Sequence, residues 1–339
     1  MSTTATEAPV TEPAEISAAL TAAGRRERLS GLIQHQGGVA VLVVVAVIAS
    51  IASPGFASGA NVQAILVGNA YTGLLALGMT FVIISGGIDL SVGSMFALGG
   101  VLAAWGSLHG GVVVAIALPL LVCAAIGLVQ GLLISRAGLA PFIVTLAGLL
   151  GARGLLQALT SDAKTTYRVP DSSAFTTLGD GQWTPIVTAV VLFALGGLVL
   201  ARTRYGQALF AIGGSQSAAV LMGVPVRRTK TLVYVQSGLI AGLAGMLNAS
   251  RLESGVTNIG VGYELTAIAA VVIGGTLLTG GSGSIWGTAA GVLLLAVIQN
   301  LIGRYVAQYG SAPSDAVNGA FLALVVLLQA YLSRAQRLP

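Results

Sequence analysis

The sequence predicts an all-α polytopic membrane protein of about ten transmembrane helices, and three observations carry that prediction. Of its 339 residues, 55% are hydrophobic and 8% charged, whereas a soluble globular domain carries about a quarter charged residues. Ten apolar stretches approach the ~20 residues that a helix needs to cross the hydrocarbon layer. The basic residues gather on one side when those stretches alternate across a bilayer. The 47 glycines suit helices that pack closely in lipid. A net charge of +5 then reflects membrane topology, and no nucleic-acid partner is expected.

Residues 1–30 are rich in Ala, Thr and Glu without periodicity and read as a disordered cytoplasmic tail. The tail ends in RRERLS before the apolar run from Val39. That order mimics a signal peptide, but the tail is long and acidic and lacks a good cleavage site, so the first helix is read as retained. The membrane domain covers 31–335. Helices are expected near 34–53, 62–84, 91–107, 111–135, 138–159, 186–201, 231–250, 264–280, 284–303 and 317–333. The third, sixth and eighth are short, and the eighth and ninth nearly touch at TGGSGS.

With the N-terminus inside, the cytoplasmic segments receive Arg25, Arg26, Arg28, Arg136, Arg202, Arg204, Arg227, Arg228, Lys230, Arg334 and Arg337. The external loops receive only Lys164, Arg168, Arg251 and Arg304. This is the asymmetry of the positive-inside rule, and it puts both termini in the cytoplasm. Two loops exceed what a connector needs: an external one at 160–185 and a basic cytoplasmic one at 202–230.

Several chemistries are excluded. Cys123 is the single cysteine and the two histidines, His35 and His109, lie far apart, so no metal site is expected. No Ser/His, His-Glu or paired-Asp constellation of an enzyme appears within the spans. A phosphate loop needs Gly-x-x-x-x-Gly-Lys-Ser/Thr. The lysines, Lys164 and Lys230, do not follow glycine, so the chain is expected to hold no nucleotide or other cofactor itself.

Two glycine-rich runs interrupt the apolar pattern: SGGIDLSVG (Ser85 to Gly93) and GGTLLTGGSGS (Gly274 to Ser284). At membrane depth, backbone outside a helix must be buried in protein or line a watery cavity. Such breaks in corresponding places of two halves point to a transporter's substrate path. An Asp at the bilayer centre costs roughly 2.5–3.5 kcal/mol on insertion scales, so Asp89 needs a role. It can cap the helix starting near Ser91, offer acceptors to a solute, or relay protons. The sequence Asp-Leu-Ser-Val-Gly at a helix start fits the cap best. With Ser85, Asp89, Ser91 and Thr276 from the breaks, the intramembrane residues Asn69, Thr145, Asn248, Gln299 and Asn300 form the candidate substrate path. Tyr71 and Gln157 are further polar positions in the spans. Amides and hydroxyls suit a neutral polyhydroxylated solute, although each also suits an interhelical hydrogen bond. Arg153, inside the fifth stretch, pairs with Asp89, meets a backbone carbonyl, or lies nearer a helix edge; the sequence leaves these open.

The loop 202–230 contains FAIGGSQSAAVLMGV between basic ends, predicting a short surface helix bounded by glycines and Pro225. One reading lays it on lipid. Its spacing Ala218-Ala219-x-x-x-Gly223 followed by Pro225 resembles the coupling loop of ABC importer permeases, whose pattern is Glu-Ala-Ala-x-x-x-Gly; Ser217 stands in place of the Glu. The segments GGIDLSVGSMFALGG, GLAPFIVTLAGLLGARGL, YGQALFAIGGSQSAAVLMGVPVRRTK and LTAIAAVVIGGTLLTGGSGSIWGT follow in order. Together they resemble the permease subunits of ribose-type carbohydrate ABC importers, most of all the galactofuranose-type system, over roughly residues 39–334.

That resemblance implies a multi-pass subunit of the bacterial inner membrane that imports a monosaccharide, galactofuranose- or ribose-like. It implies a separate ATPase subunit carrying ATP and Mg, a second permease subunit, identical or homologous, and a periplasmic or lipid-anchored solute-binding protein. It assigns coupling to Tyr205, Gly206, Gly213, Ser217, Ala218, Ala219, Gly223, Pro225 and Arg227. The alternatives are a permease of the same superfamily for an amino acid or nucleoside, and a secondary carrier working without ATP.

Overall fold

The computed structural model of the protein describes residues 39–306, apart from 163, 171, 172 and 182, and additionally residues 313, 316, 319, 320 and 323. The expected tail 1–30, both termini and most of the tenth stretch, 317–333, lie outside the described residues.

The described chain is helical almost throughout. In order come α1 (Val39–Ala52), α2 (Gly59–Ile84), α3 (Val92–Ser135) and α4 (Pro141–Leu159), then β1 (Tyr167–Arg168), α5 (Thr177–Asp180) and α6 (Thr184–Arg202). Next come α7 (Arg204–Gly214), α8 (Gln216–Leu221), α9 (Val226–Leu252), β2 (Ser254–Gly255), α10 (Tyr263–Ile273) and α11 (Ile285–Tyr305). Six of these helices are long and apolar enough to cross a membrane: α2, α3, α4, α6, α9 and α11.

Helix α3 has 44 residues, so a straight course would run about 66 Å, twice the ~30 Å hydrocarbon core. It does not run straight. The Gln130 amide donates to Ser91 Oγ at 2.9 Å although the two are 39 positions apart, and Cys123 Sγ reaches the Met95 carbonyl at 3.5 Å. The reversal falls at Gly111, whose φ of 70° and ψ of −169° leave the helical region; an L side chain rarely adopts such a φ, and glycine does so freely. The arms 92–110 and 112–135 therefore pack side by side, which matches the separate third and fourth stretches expected from the sequence.

Helix α9 is the shared partner of both arms. The approach is backbone to backbone: a methyl on Gly99 would lie 2.9 Å from the Gly242 Cα. The largest apolar core joins α2, both arms of α3, α9, α10 and α11, including Leu74, Met79, Phe96, Leu98, Ala244 and Val271. Dispersion between small and branched side chains, rather than exclusion from water, holds helices together in lipid. By contrast, α4 and α6 leave most of their apolar surface uncovered, with Ile143, Leu150, Val190 and Leu198 all more than half exposed.

Two expectations change. The eighth stretch, 264–280, is not a span: α10 has 11 residues, about 16 Å at 1.5 Å per residue, and 274–284 is not helical. Helix α10 pairs with the start of α11 and ends at Gly274, whose backbone is pressed so tightly against Gly287 that no side chain fits. The apolar composition of 274–280 had suggested a continuous helix. In addition, the loop 202–230 holds two helices, α7 and α8, where one was expected, because Ser215 leaves the helical region (φ −160°, ψ 110°) and caps a new start. The 160–185 loop is tied down by β1, which pairs antiparallel with β2 through Tyr167 with Gly255 and Arg168 with Ser254.

Candidate functional site

The first glycine-rich run forms a true break: α2 stops at Ile84 and α3 begins at Val92. Asp89, fully buried, sits at its centre. One carboxylate oxygen, Oδ1, accepts the Ser91 amide at 3.0 Å and the Ser91 hydroxyl. The other, Oδ2, accepts the Ser237 hydroxyl of α9 at 2.7 Å. Ser91 is in turn held by Gln130 of the second α3 arm. Three donors on one carboxylate offset much of the desolvation cost of a buried acid. Asp89 is therefore not the helix cap expected from the sequence: the N-cap position is Ser91, which makes no side-chain cap bond. Asp89 orders the turn entering α3 by taking the Ser91 amide, two residues on, and also fastens the break to α9.

Thr145 joins this cluster from α4. Its hydroxyl, fully buried, lies 3.3 Å from the Ile88 carbonyl and 2.9 Å from that of Pro141. Ser85 satisfies itself locally on the Val82 carbonyl. Arg153 takes one of its three expected options: it donates to the Thr257 carbonyl at 3.0 Å and to that of Ile259 at 3.2 Å, holding the non-helical segment before α10.

The other candidate path residues do not gather here. Asn69 donates to the Ile65 carbonyl of its own helix. Asn300 exchanges amide hydrogen bonds with Asn61 at 3.1 and 3.3 Å. Gln299 is exposed and Asn248 half-buried. Thr276, in the second break, is buried with its hydroxyl lacking a hydrogen-bond partner among the described residues. Asp89, Ser91 and Thr145 therefore share one cluster, and the remaining positions are distributed. Ser237, Gln130 and Asn61 complete these contacts and were not singled out from sequence, since their partners lie 39 to 239 positions away.

The loop between α6 and α9 is built locally. Thr203 caps α7 by accepting the Gly206 amide at 3.1 Å, and Ser215 caps α8 by accepting the Ala218 amide at 3.3 Å. Tyr205 fastens α7 to the bundle: its hydroxyl donates to Gln236 Oε1 at 3.0 Å and its ring stacks on Phe81. Lys230 Nζ donates to Gln216 Oε1 at 2.7 Å, bracing α8 against α9.

The spacing Ala219-x-x-x-Gly223 has a direct structural reason. The Gly223 amide donates to the Val220 carbonyl and the Val224 amide to that of Ala219, both at 3.0 Å. This is the paired bonding of a Schellman helix end, with glycine at the left-handed position; its φ is 76°. Ala219 is fully buried against Ile212 and Val226, with Val224 alongside. Ser217, Ala218, Pro225 and Arg227 are exposed. So are the apolar side chains at the tip: Val220 at 57%, Leu221 at 89% and Met222 at 69%. The helix end is thus firmly closed and presents three apolar side chains outward.

Span-length helices interrupted by two glycine-rich breaks, the first largely buried and the second partly exposed, together with a projecting apolar helix end, are features of a membrane transport subunit. The chain belongs to the family described as "branched-chain amino acid transport system / permease component", whose model matches residues 61–330. It is 39% identical to the ribose import permease of Bacillus subtilis (strain 168) over 310 residues, covering 90% of this chain and 95% of the relative. It is 36% identical to the L-arabinose transport system permease of Escherichia coli (strain K12) over 324 residues, covering 91% and 94%. An inner membrane ABC transporter permease of the same organism is 41% identical over 256 residues, covering 74% and 77%. No solved structure matches the chain. The protein is accordingly a ribose-type ABC permease and a multi-pass protein of the inner membrane.

Proposed function

We propose that the chain is the membrane-spanning subunit of an importer for a monosaccharide of the ribose or galactofuranose type. A separate ATPase, which binds ATP and Mg, drives it, and an extracytoplasmic solute-binding protein supplies the sugar. Two permease subunits, identical or homologous, line the path, and this chain has no ATPase site of its own. The observation that carries the reading is the α8 end, where Val220, Leu221 and Met222 stand exposed on a capped, braced helix. A lipid-seated helix would suffice for anchoring, but the relatives are ABC import permeases, and such a subunit must dock an ATPase on its loops. The ribose and L-arabinose permeases among the relatives favour a monosaccharide. Among the described residues, the buried polar side chains are hydroxyls and the Gln130 amide, with Asp89 as the one carboxylate, a mostly uncharged set that suits a neutral polyhydroxylated solute.

The family description favours a second reading, a branched-chain amino acid substrate. Uptake into proteoliposomes holding the complete complex decides between them. Radiolabelled D-ribose, L-arabinose, D-galactose and galactofuranose are offered beside leucine and adenosine. Accumulation of one sugar with no accumulation of leucine or adenosine is expected. Accumulation of leucine or adenosine alone contradicts the sugar assignment.

A further inference from the structure

The end of α7 lies against both glycine-rich breaks. A methyl placed on Gly213 would collide with the carbonyl oxygen of Ile84, at the end of α2, and with the amide nitrogen of Gly281, in the second break. Those two groups are themselves bonded, the Gly281 amide donating to the Ile84 carbonyl at 2.9 Å. The approach continues on either side. A methyl on Gly280 would lie 2.8 Å from the Gly86 nitrogen and 3.1 Å from the Gly213 Cα, and one on Gly281 would lie 2.7 Å from the Gly214 nitrogen. Backbones from three distant parts of the chain thus meet at these glycines.

We propose that Gly213 is the positioning residue through which movement of the α7–α8 loop reaches both breaks at once; this rests on the reading of that loop as the ATPase dock. A contact made by long side chains can absorb a displacement by changing rotamers, whereas backbone against backbone has no such slack. The loop side of the junction is stiffened by the Thr203 cap and by Tyr205 on Gln236 and Phe81. On the membrane side, the first break is tied through Asp89 to α9 and the second opens into α11, whose Thr288 bonds Thr80 of α2 at 2.8 Å. A shift of α7 therefore bears on the ends of α2, α3, α10 and α11 together.

The neighbouring glycine supplies the control, since a methyl on Gly214 meets nothing within 4 Å. Gly213→Ala and Gly214→Ala are prepared in the full complex with its ATPase and binding protein. Sugar uptake and ATP hydrolysis are measured side by side, using whichever of D-ribose, L-arabinose, D-galactose or galactofuranose the unaltered complex transports fastest. Gly213→Ala is expected to retain the ATPase and its hydrolysis while sugar moved per ATP falls at least about fivefold, the lower end of typical coupling between sites. Gly214→Ala is expected to behave as the unaltered protein. An unchanged ratio in Gly213→Ala, or an equal loss in Gly214→Ala, overturns the proposal. Should Gly213→Ala not insert, hydrogen exchange in the unaltered complex tests the same junction. Exchange at residues 85–87 and 280–283 is expected to change when the bound ATPase takes up ATP, and exchange in both segments that is unmoved by ATP overturns the proposal. Failure of the docking reading has a different signature: Leu221→Glu would then co-purify with the ATPase undiminished.

Discussion

The hydroxyl of Ser237, in the middle of α9, donates to Oδ2 of Asp89 at 2.7 Å across 148 positions of sequence. It fastens the break between α2 and α3 to the helix that both arms of α3 share. An amide at position 89 keeps an oxygen acceptor for Ser91 and offers an N–H that donates to the Ser237 hydroxyl oxygen. Asp89→Asn is therefore expected to keep most transport and to unfold in detergent close to the native temperature. Asp89→Leu takes the acceptor from two buried donors, the Ser91 amide and the Ser237 hydroxyl, at about 1–3 kcal/mol each, the Ser91 hydroxyl keeping Gln130 Oε1 at 3.3 Å, and is expected to unfold well below it. Asp89→Asn with intact assembly and no transport would instead give the carboxylate a role in the path.

At the α8 end, any L side chain at position 223 strains a left-handed backbone by roughly 1–2 kcal/mol. Gly223→Val is expected to leave the permease inserted but to lose the ATPase or its coupling, measured by co-purification and uptake. Gly223→Asn, which tolerates this conformation better, is expected to lose less. Leu221→Glu, at 89% exposure, is expected to release the ATPase without altering permease stability.

Arg153 holds the carbonyls of residues 257 and 259. Arg153→Met removes those bonds at a cost of about 1–3 kcal/mol. Hydrogen exchange across residues 255–262 is expected to accelerate, while exchange in α9 stays slow. Unchanged exchange in that segment would show that Arg153 does not order it.

Asn61 and Asn300 join α2 to α11 by a reciprocal amide pair. A double-mutant cycle with alanine at each position is expected to give a coupling near the ~0.6 kcal/mol average of membrane interhelical hydrogen bonds, and not above ~1.7 kcal/mol. The measurement is unfolding in mixed micelles.

The sequence made the helical spans legible because lipid imposes a length and a composition on each. It made the breaks legible too, since Gly-Gly-Ile-Asp and Gly-Gly-Ser-Gly interrupt that pattern. The Ala219 to Gly223 spacing marks the end of α8, and its reason is a helix end closed on a left-handed glycine. Three things were not legible. The half-length of α10 depends on Gly274 meeting Gly287, a tertiary contact hidden behind an apolar composition. The choice of Arg153 among its three options depends on where 257–259 folds back. The meeting of Gly86, Gly213, Gly280 and Gly281 joins segments that carry no local trace of one another, because close approach leaves only glycine as its mark.

Dependence of import on ATP hydrolysis by a partner is read from uptake in proteoliposomes holding a hydrolysis-dead ATPase. Such complexes are expected to assemble, bind the loaded solute-binding protein and accumulate no sugar above a liposome blank. Accumulation that persists with the inactive ATPase would contradict this dependence and make the chain a secondary carrier.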